Sequence, residues 1–104
     1  MTVYVDDASI QASVPNGCRT ISSRWSHLMA DSLEELIAFA TGPLGLRRTW
    51  LQDKKSGVHF DVTAGKRWQA IRLGAVPIEA PSPQWMDVVA AARKQWSGYV
   101  EADE

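Results

Sequence analysis

Hydrophobic residues recur with a helical period in three segments of the chain. The first segment follows Ser32, where the letters S-L-E-E form an N-terminal capping box, and it ends at G-P in positions 42–43. The second follows Thr63, and its spacing predicts a buried stripe of Trp68, Ile71 and Leu73. The third opens with P-S-P at 81–83 and carries apolar residues at 85, 88, 89, 92 and 96. Three helices are therefore predicted.

Short apolar segments at 2–5, 49–52 and 75–78 are typical of β-strands. Residues 8–23 contain P-N-G and many small polar side chains, which predicts a loop that could include a hairpin through Ile10 and Ile21. Strands and helices alternate, so we predict an α/β fold of two or three layers with a mostly parallel β-α-β-α-β sheet core and an added C-terminal helix. We expect one domain over residues 1–100 and a frayed tail at 101–104.

Composition narrows the class of protein. Of 104 residues, 45% are hydrophobic and 22% charged, as in an ordinary globular domain. The net charge of −1 argues against a partner such as duplex nucleic acid, which needs a basic surface. No apolar run approaches the ~20 residues of a membrane span, and the start M-T-V-Y-V-D-D lacks the features of a signal peptide. We therefore expect a cytoplasmic protein without a membrane partner.

Polar residues at predicted strand ends suggest a metal site, because ligands of open α/β sheets bind beyond the carboxyl ends of the strands. Asp6 and Asp7 follow the first strand, and His59-x-Asp61 precedes the second helix. We expect Asp6, His59 and Asp61 to hold Mg²⁺ or another divalent metal, or to supply a base. Both patterns also have ordinary readings: D-D is a common polar strand ending, and H-x-D arises often by chance.

Two further groups of residues point to an anionic ligand. Lys66 and Arg67 lie in the first turn of the second predicted helix, where cations oppose the helix dipole, and a phosphate would explain them. Trp25, His27 and Asp31 precede the first helix and are expected to face the same cleft. His59, Asp61 and His27 are thus the candidate catalytic residues, with Asp31 as the partner of His27. The candidate ligand-binding residues are Arg67, Lys66, Trp25 and Asp31.

An ordered set of motifs resembles a small family of domains of unknown function from tailed phages and bacteria. The motifs are V-Y-V-D-D at 3–7, W-S-H-L-x-A-D at 25–31, H-F-D-V-T at 59–63 and L-G-A-V-P at 73–77. Some bacterial relatives look fused to an HD-type phosphohydrolase domain. The resemblance covers roughly residues 1–80 and implies that the family pattern includes Asp6, Trp25, His27, Asp31, His59, Asp61 and Arg67. By this resemblance the 8–23 loop is longer than usual, and the helix after Pro83 is an addition for packing or homo-oligomer formation.

Two functions remain open at this point. The leading hypothesis is that the protein binds and hydrolyses a nucleotide-like or phosphorylated small molecule, with a metal-dependent phosphohydrolase-like activity. The alternative is a non-enzymatic phage or bacterial accessory protein that binds a host protein or sequesters a nucleotide signal. If phage-encoded, it would work in the host cytoplasm. An exposed patch of Trp85, Trp96 and Tyr99 would favour the alternative, since aromatic anchors dominate interfaces.

Overall fold

The computed structural model of the protein describes residues 2–100, apart from the side chain of Asn16. The expected tail at 101–104 lies outside the described residues. The elements in chain order are β1 (Val3–Asp6), β2 (Ile10–Asn16), β3 (Arg19–Ala30), α1 (Leu33–Thr41), a 3₁₀ turn (Arg48–Trp50), β4 (Phe60–Thr63), α2 (Ala64–Arg72), β5 (Val76–Ile78) and α3 (Pro83–Lys94).

Strand β3 organises a mixed sheet of five strands. It pairs antiparallel with β1, β2 and β4, whereas β5 pairs parallel with β1. Leu28 pairs with both Val5 of β1 and Phe60 of β4, and Trp25 pairs with both β2 and β4. β1 and β2 therefore both lie along one edge of β3, and β4 lies along the other edge. The prediction of a mostly parallel sheet is wrong, because residues 19–30 form a long antiparallel strand. The hairpin allowed for within residues 8–23 is confirmed: β2 pairs with β3, although Ile10 pairs with Trp25 and Ile21 with Val14.

The strand predicted at 49–52 is also wrong. Residues 48–50 form a 3₁₀ turn, and in this segment only Gln52 pairs, through an isolated bridge to His59. The strand of this region is β4, in which Phe60 and Val62 are buried and alternate with half-buried residues. An alternation of buried and half-buried residues over only four positions is a short signal for a strand. The last of these residues, Thr63, is also the cap of the next helix, which obscures the signal further.

Helices cover both faces of the sheet, so the α/β domain has three layers. One face packs against α1 and α2 through the buried residues Val5, Leu28, Phe60, Leu36, Ala40 and Ala70. The other face packs against α3 through Met29, Ile78, Val88, Val89 and Ala92. No helix among the described residues has the length and apolar character needed to cross a membrane.

The helix boundaries follow their caps. Ser32 Oγ accepts a hydrogen bond from the Glu35 amide, and Thr63 Oγ1 accepts one from the Lys66 amide. The predicted stripe of α2 is partly wrong, because Trp68 is 63% exposed and Leu73 is also exposed. α2 starts directly at the end of β4, and this connection turns Ala70, not Trp68, toward the sheet.

Candidate functional site

Three polar side chains stand in a row across the sheet, one on each of three neighbouring strands. His27 of β3 pairs with Asp61 of β4, and Asp6 of β1 follows Val5, whose partner is Leu28, so Asp6 lies opposite His27. Successive side chains on a strand alternate between faces, so all three project from the face opposite Leu28. This row lies on the face of the sheet that α3 partly covers, not beyond the strand ends.

Asp6 is fully buried and holds His27 at two points. Asp6 Oδ2 lies 2.8 Å from His27 Nδ1, and Asp6 Oδ1 accepts the His27 main-chain N–H at 2.8 Å. Burial raises the pKa of Asp6, but the hydrogen bonds from His27 and the indole of Trp85 outweigh burial, so the pKa is lowered. The hydrogen bond to Asp6 raises the pKa of His27 against the opposing effect of burial. The buried carboxylate therefore accepts, and His27 Nδ1 carries a proton.

His59 is held by the turn that precedes it. Its Nδ1 lies 2.8 Å from the carbonyl oxygen of Gly57, and its Nε2 lies 3.2 Å from Asp61 Oδ1. Since a carbonyl only accepts, Nδ1 donates to the Gly57 oxygen, and Nε2 faces the Asp61 carboxylate. A proton on Nε2, or a cation bound by both atoms, would make this contact favourable. The hydrogen bond with His59 lowers the pKa of Asp61.

The two imidazoles meet although they are distant in sequence. Their ring centroids are 4.9 Å apart with an interplanar angle of 85°. His27, His59 and Asp61 each offer one ligand atom, and the three atoms lie within 4.8 Å of one another. Because Nδ1 of each histidine is engaged by an oxygen atom, Nε2 is the ring nitrogen left to bind a ligand, and that of His59 already contacts Asp61 Oδ1.

The other predicted ligand-binding residues do not join this row. Arg67 donates from Nε to the main-chain oxygen of Asp6 at 2.7 Å. Arg67 also lines a separate pocket of about 210 Å³ together with Arg24 and Ser26. Arg24 and Ser26 alternate with Trp25 and His27 along β3, so this pocket opens on the opposite face of the sheet from the imidazoles.

Lys66, Trp25 and Asp31 have structural partners. Lys66 Nζ donates to the carbonyl of Leu44 at 2.9 Å, and Trp25 Nε1 donates to the carbonyl of Ala12 at 3.0 Å. Both residues still line a cleft that includes Asp61. Asp31 Oδ2 accepts the Thr2 amide beyond the end of β3, so Asp31 does not contact His27 as a partner.

Three residues at the site were not identified from the sequence. Trp85 of α3 donates from Nε1 to Asp6 Oδ2 at 3.0 Å. Gly57, at φ +133°, presents the carbonyl that holds His59. The positive charge of Lys54 acts on both Asp61 and His27, although at His27 the hydrogen bond to Asp6 outweighs it and raises the pKa. Only Gly57 had a sequence signal, the S-G turn just before His59.

The two tryptophans proposed for a binding patch are partly buried. Trp85 is partly buried against the cluster under α3, and Trp96 packs against the main core. Tyr99 is exposed. These three residues therefore do not form one exposed aromatic patch.

A family model described as "Protein of unknown function (DUF4031)" matches residues 3–92. The chain belongs to the DUF4031 family. The DUF4031 match includes ten of the twelve residues of α3, so the helix is part of the family pattern, and the expectation that it is an addition is wrong. Helix α3 contacts the buried Asp6 through Trp85, which gives a physical reason why the helix belongs to the domain. Neither a curated protein nor a solved structure matches the DUF4031 chain.

Proposed function

We propose that the protein binds one divalent cation through His27, His59 and Asp61 and uses it to bind and hydrolyse a phosphorylated small molecule. One observation carries this proposal. Both imidazoles have Nδ1 fixed by an acceptor, so each Nε2 is the nitrogen that would bind a cation together with the Asp61 carboxylate. Metal-binding histidines almost always show such an acceptor on the second ring nitrogen.

The donor set argues for the class of metal. Two imidazoles and one carboxylate suit zinc, manganese or iron better than Mg²⁺, which prefers oxygen ligands and water. In this proposal Asp6 orients His27 and is not itself a ligand, because both of its oxygens accept hydrogen bonds from the protein. The 3.2 Å between His59 Nε2 and Asp61 Oδ1 already fits two ligands of one ion, which lie about 3 Å apart at bond lengths near 2.1 Å.

Three protein ligands leave coordination positions for water and substrate. A divalent cation lowers the pKa of its water and polarises a phosphoryl oxygen. In the reaction we propose, the water oxygen bonds to phosphorus, the P–O bond to the leaving group breaks, and the leaving oxygen takes the proton from the water. Lys54 and Lys66 contribute positive charge near Asp61, which favours an anionic substrate.

The metal is tested first, by titrating chelator-treated protein with Zn²⁺, Mn²⁺ and Mg²⁺ in a calorimeter. We expect one site, tighter for Zn²⁺ and Mn²⁺ than for Mg²⁺. His59→Gln and Asp61→Asn should weaken it at least about tenfold. Asp87→Asn, an exposed acid on α3, makes the same charge change as Asp61→Asn and should leave binding unchanged. Absence of stoichiometric binding in the wild-type protein would refute the metal site.

Hydrolysis is tested with the metal-loaded protein and a set of phosphate monoesters, following release of inorganic phosphate. Release by the wild type and its loss in His59→Gln would support the reaction. Tight binding of an ester without turnover would instead favour the non-enzymatic alternative, in which a nucleotide signal is sequestered. The exposed Ile10 on the β2–β3 hairpin is an observation that favours a protein partner. A stoichiometric partner bound equally by wild type and His59→Gln would support that reading.

A further inference from the structure

A cleft of about 410 Å³ opens beside the proposed metal ligands. The β2–β3 hairpin contributes Val14 and Ile21 to its wall, and the segment before β4 contributes Trp50. Asp61 lines both this cleft and the metal-ligand cluster. A ligand bound to the cation can therefore extend into the cleft without leaving the site.

The lining is mostly apolar and contains two indoles. Trp25 is fixed by its hydrogen bond to the Ala12 carbonyl, which sets the orientation of its ring. Trp50 is 37% exposed, and the guanidinium of Arg47 lies 5.7 Å from its ring centroid. Indole faces stack on flat heterocycles, at about 1–3 kcal/mol for each base. The cleft thus suits a planar ring better than a sugar or a flexible chain.

The polar residues that line the cleft are Thr49, Gln52, Asp61, Thr63 and Lys66. Gln52 lines the cleft, and its main chain pairs with His59 in both directions, at 2.8 and 3.1 Å. The main chain of Gln52 is thus hydrogen-bonded to that of His59, a proposed metal ligand. The side-chain amide of Gln52 can donate and accept hydrogen bonds at the edge of a bound heterocycle. Thr49 and Thr63 add hydroxyl groups. A small set of polar groups in an apolar cavity of roughly 300–1,000 Å³ is the usual composition of a small-molecule site.

We propose that the cleft binds the base of a nucleotide whose phosphate reaches the cation at His27, His59 and Asp61. This inference rests on the proposed function and names its substrate class. The base lies between the hairpin wall and Trp50, and the phosphate lies at the end of the cleft that Asp61 forms. The other pocket, beside Arg67, opens on the opposite face of the sheet and takes no part.

The test separates ring binding from metal binding. Binding of adenosine, guanosine, cytidine and uridine, which lack phosphate, is measured by calorimetry in the presence of a chelator. We expect at least one nucleoside to bind, with at least tenfold loss in Trp50→Ala and partial retention in Trp50→Phe, which keeps an aromatic ring. Trp68→Ala removes an indole that is 63% exposed outside the cleft and should bind like the wild type.

The second arm adds the phosphate and the cation. The monophosphate of the bound nucleoside should bind at least tenfold more tightly than the nucleoside to Zn²⁺-loaded protein, and His59→Gln should abolish that gain. Metal binding without nucleoside binding would overturn this inference and leave the proposed function standing. Nucleoside binding without metal binding would refute the proposed function. Nucleoside binding that Trp50→Ala does not weaken would show that the base does not bind in this cleft, and it would overturn the inference.

Discussion

Asp6 lies opposite His27 in the register of β1 and β3, and its carboxylate binds both the ring and the main chain of that histidine at 2.8 Å. The acid is buried while the imidazole side chain is 26% exposed. A buried acid behind a partly open histidine is the arrangement that orients an imidazole toward a ligand. The first prediction concerns this pair.

Asp6→Asn should weaken Zn²⁺ binding by about 10–100-fold, because it removes the charge that orients His27. It should also lower the free energy of unfolding by roughly 1–3 kcal/mol, since buried hydrogen bonds lose a charged acceptor. Calorimetric titration and urea unfolding measure the two effects. Asp87→Asn serves as the control for the lost charge. Wild-type Zn²⁺ affinity in Asp6→Asn would show that Asp6 does not support the metal site.

The same pair predicts a pH dependence of the metal-free protein. The pKa of Asp6 is lowered from 3.8, so its contribution to stability is present above pH 3.8 and is lost as the pH falls through the folded-state value. The pKa of His27 is raised from 6.5, so its contribution is present below pH 6.5 and is lost as the pH rises through its folded-state value. The stability difference between wild type and Asp6→Asn should therefore be largest between pH 3.8 and 6.5.

Urea unfolding across this range, in the presence of a chelator, measures that difference. Subtracting the free energy of unfolding of the variant from that of the wild type cancels the contribution of titratable groups that both proteins contain. A difference that does not change from pH 3 to pH 8 would contradict the assigned charge states of Asp6 and His27.

Gly57→Ala should disturb His59. Gly57 has φ +133°, which an L-residue rarely adopts, and a new Cβ would lie 3.4 Å from the Ala92 Cβ. We expect a loss of about 1–3 kcal/mol in stability and weaker Zn²⁺ binding, because the Gly57 carbonyl holds the His59 ring. Gly65→Ala, in the first turn of α2 with no atoms within 4 Å of the new Cβ, should be neutral or stabilising. Equal effects of the two substitutions would argue against a role for the turn.

Trp85→Phe should separate packing from hydrogen bonding at α3. Phenylalanine keeps an aromatic ring against the cluster under α3 but loses the donor to Asp6. We expect a loss of about 1 kcal/mol or more in stability, because a buried carboxylate loses one partner. Trp68→Phe is the matched control at an exposed indole. Urea unfolding measures both, and no difference between the variants would mean that the indole N–H is dispensable.

Lys54→Ala should weaken the binding of an anion to the metal-loaded protein. Its positive charge acts on both His27 and Asp61, so the same charge should attract a phosphate placed beside them. We expect a severalfold loss of affinity for inorganic phosphate at low salt and a smaller loss at high salt. Lys55→Ala makes the same charge change at the next residue. Equal losses in the two variants would indicate a general effect of net charge.

The sequence predicted the helices better than the sheet. Ser32 and Thr63 mark two helix starts by local capping chemistry, which depends only on neighbouring residues. Strand β3 was missed because its last residues are buried on both faces and carry Ser26 on one face and His27 on the other. A strand that is covered on both sides lacks the simple alternation of apolar and polar residues.

The site depended on information that local sequence patterns do not contain. His27 and His59 were both named as candidates, but their meeting follows from the pairing of β3 with β4. Asp31 was expected to accompany His27, whereas the register of β1 brings Asp6 there. Arg67 was expected in the same pocket, but period-two alternation along β3 separates its pocket from the imidazoles. Sequence can nominate such residues, while strand register decides which of them meet.

The position of His27, three residues before the end of β3, also protects the fold against mispairing. A shift of β3 by one residue against β1 and β4 would exchange the two faces of the strand. The imidazole would then enter the apolar layer beneath α1 and α2, and Leu28 would be left facing the carboxylates of Asp6 and Asp61. The polar row thus makes the wrong alignment costly, so the residues that we assign to chemistry also help this chain to find its native pairing.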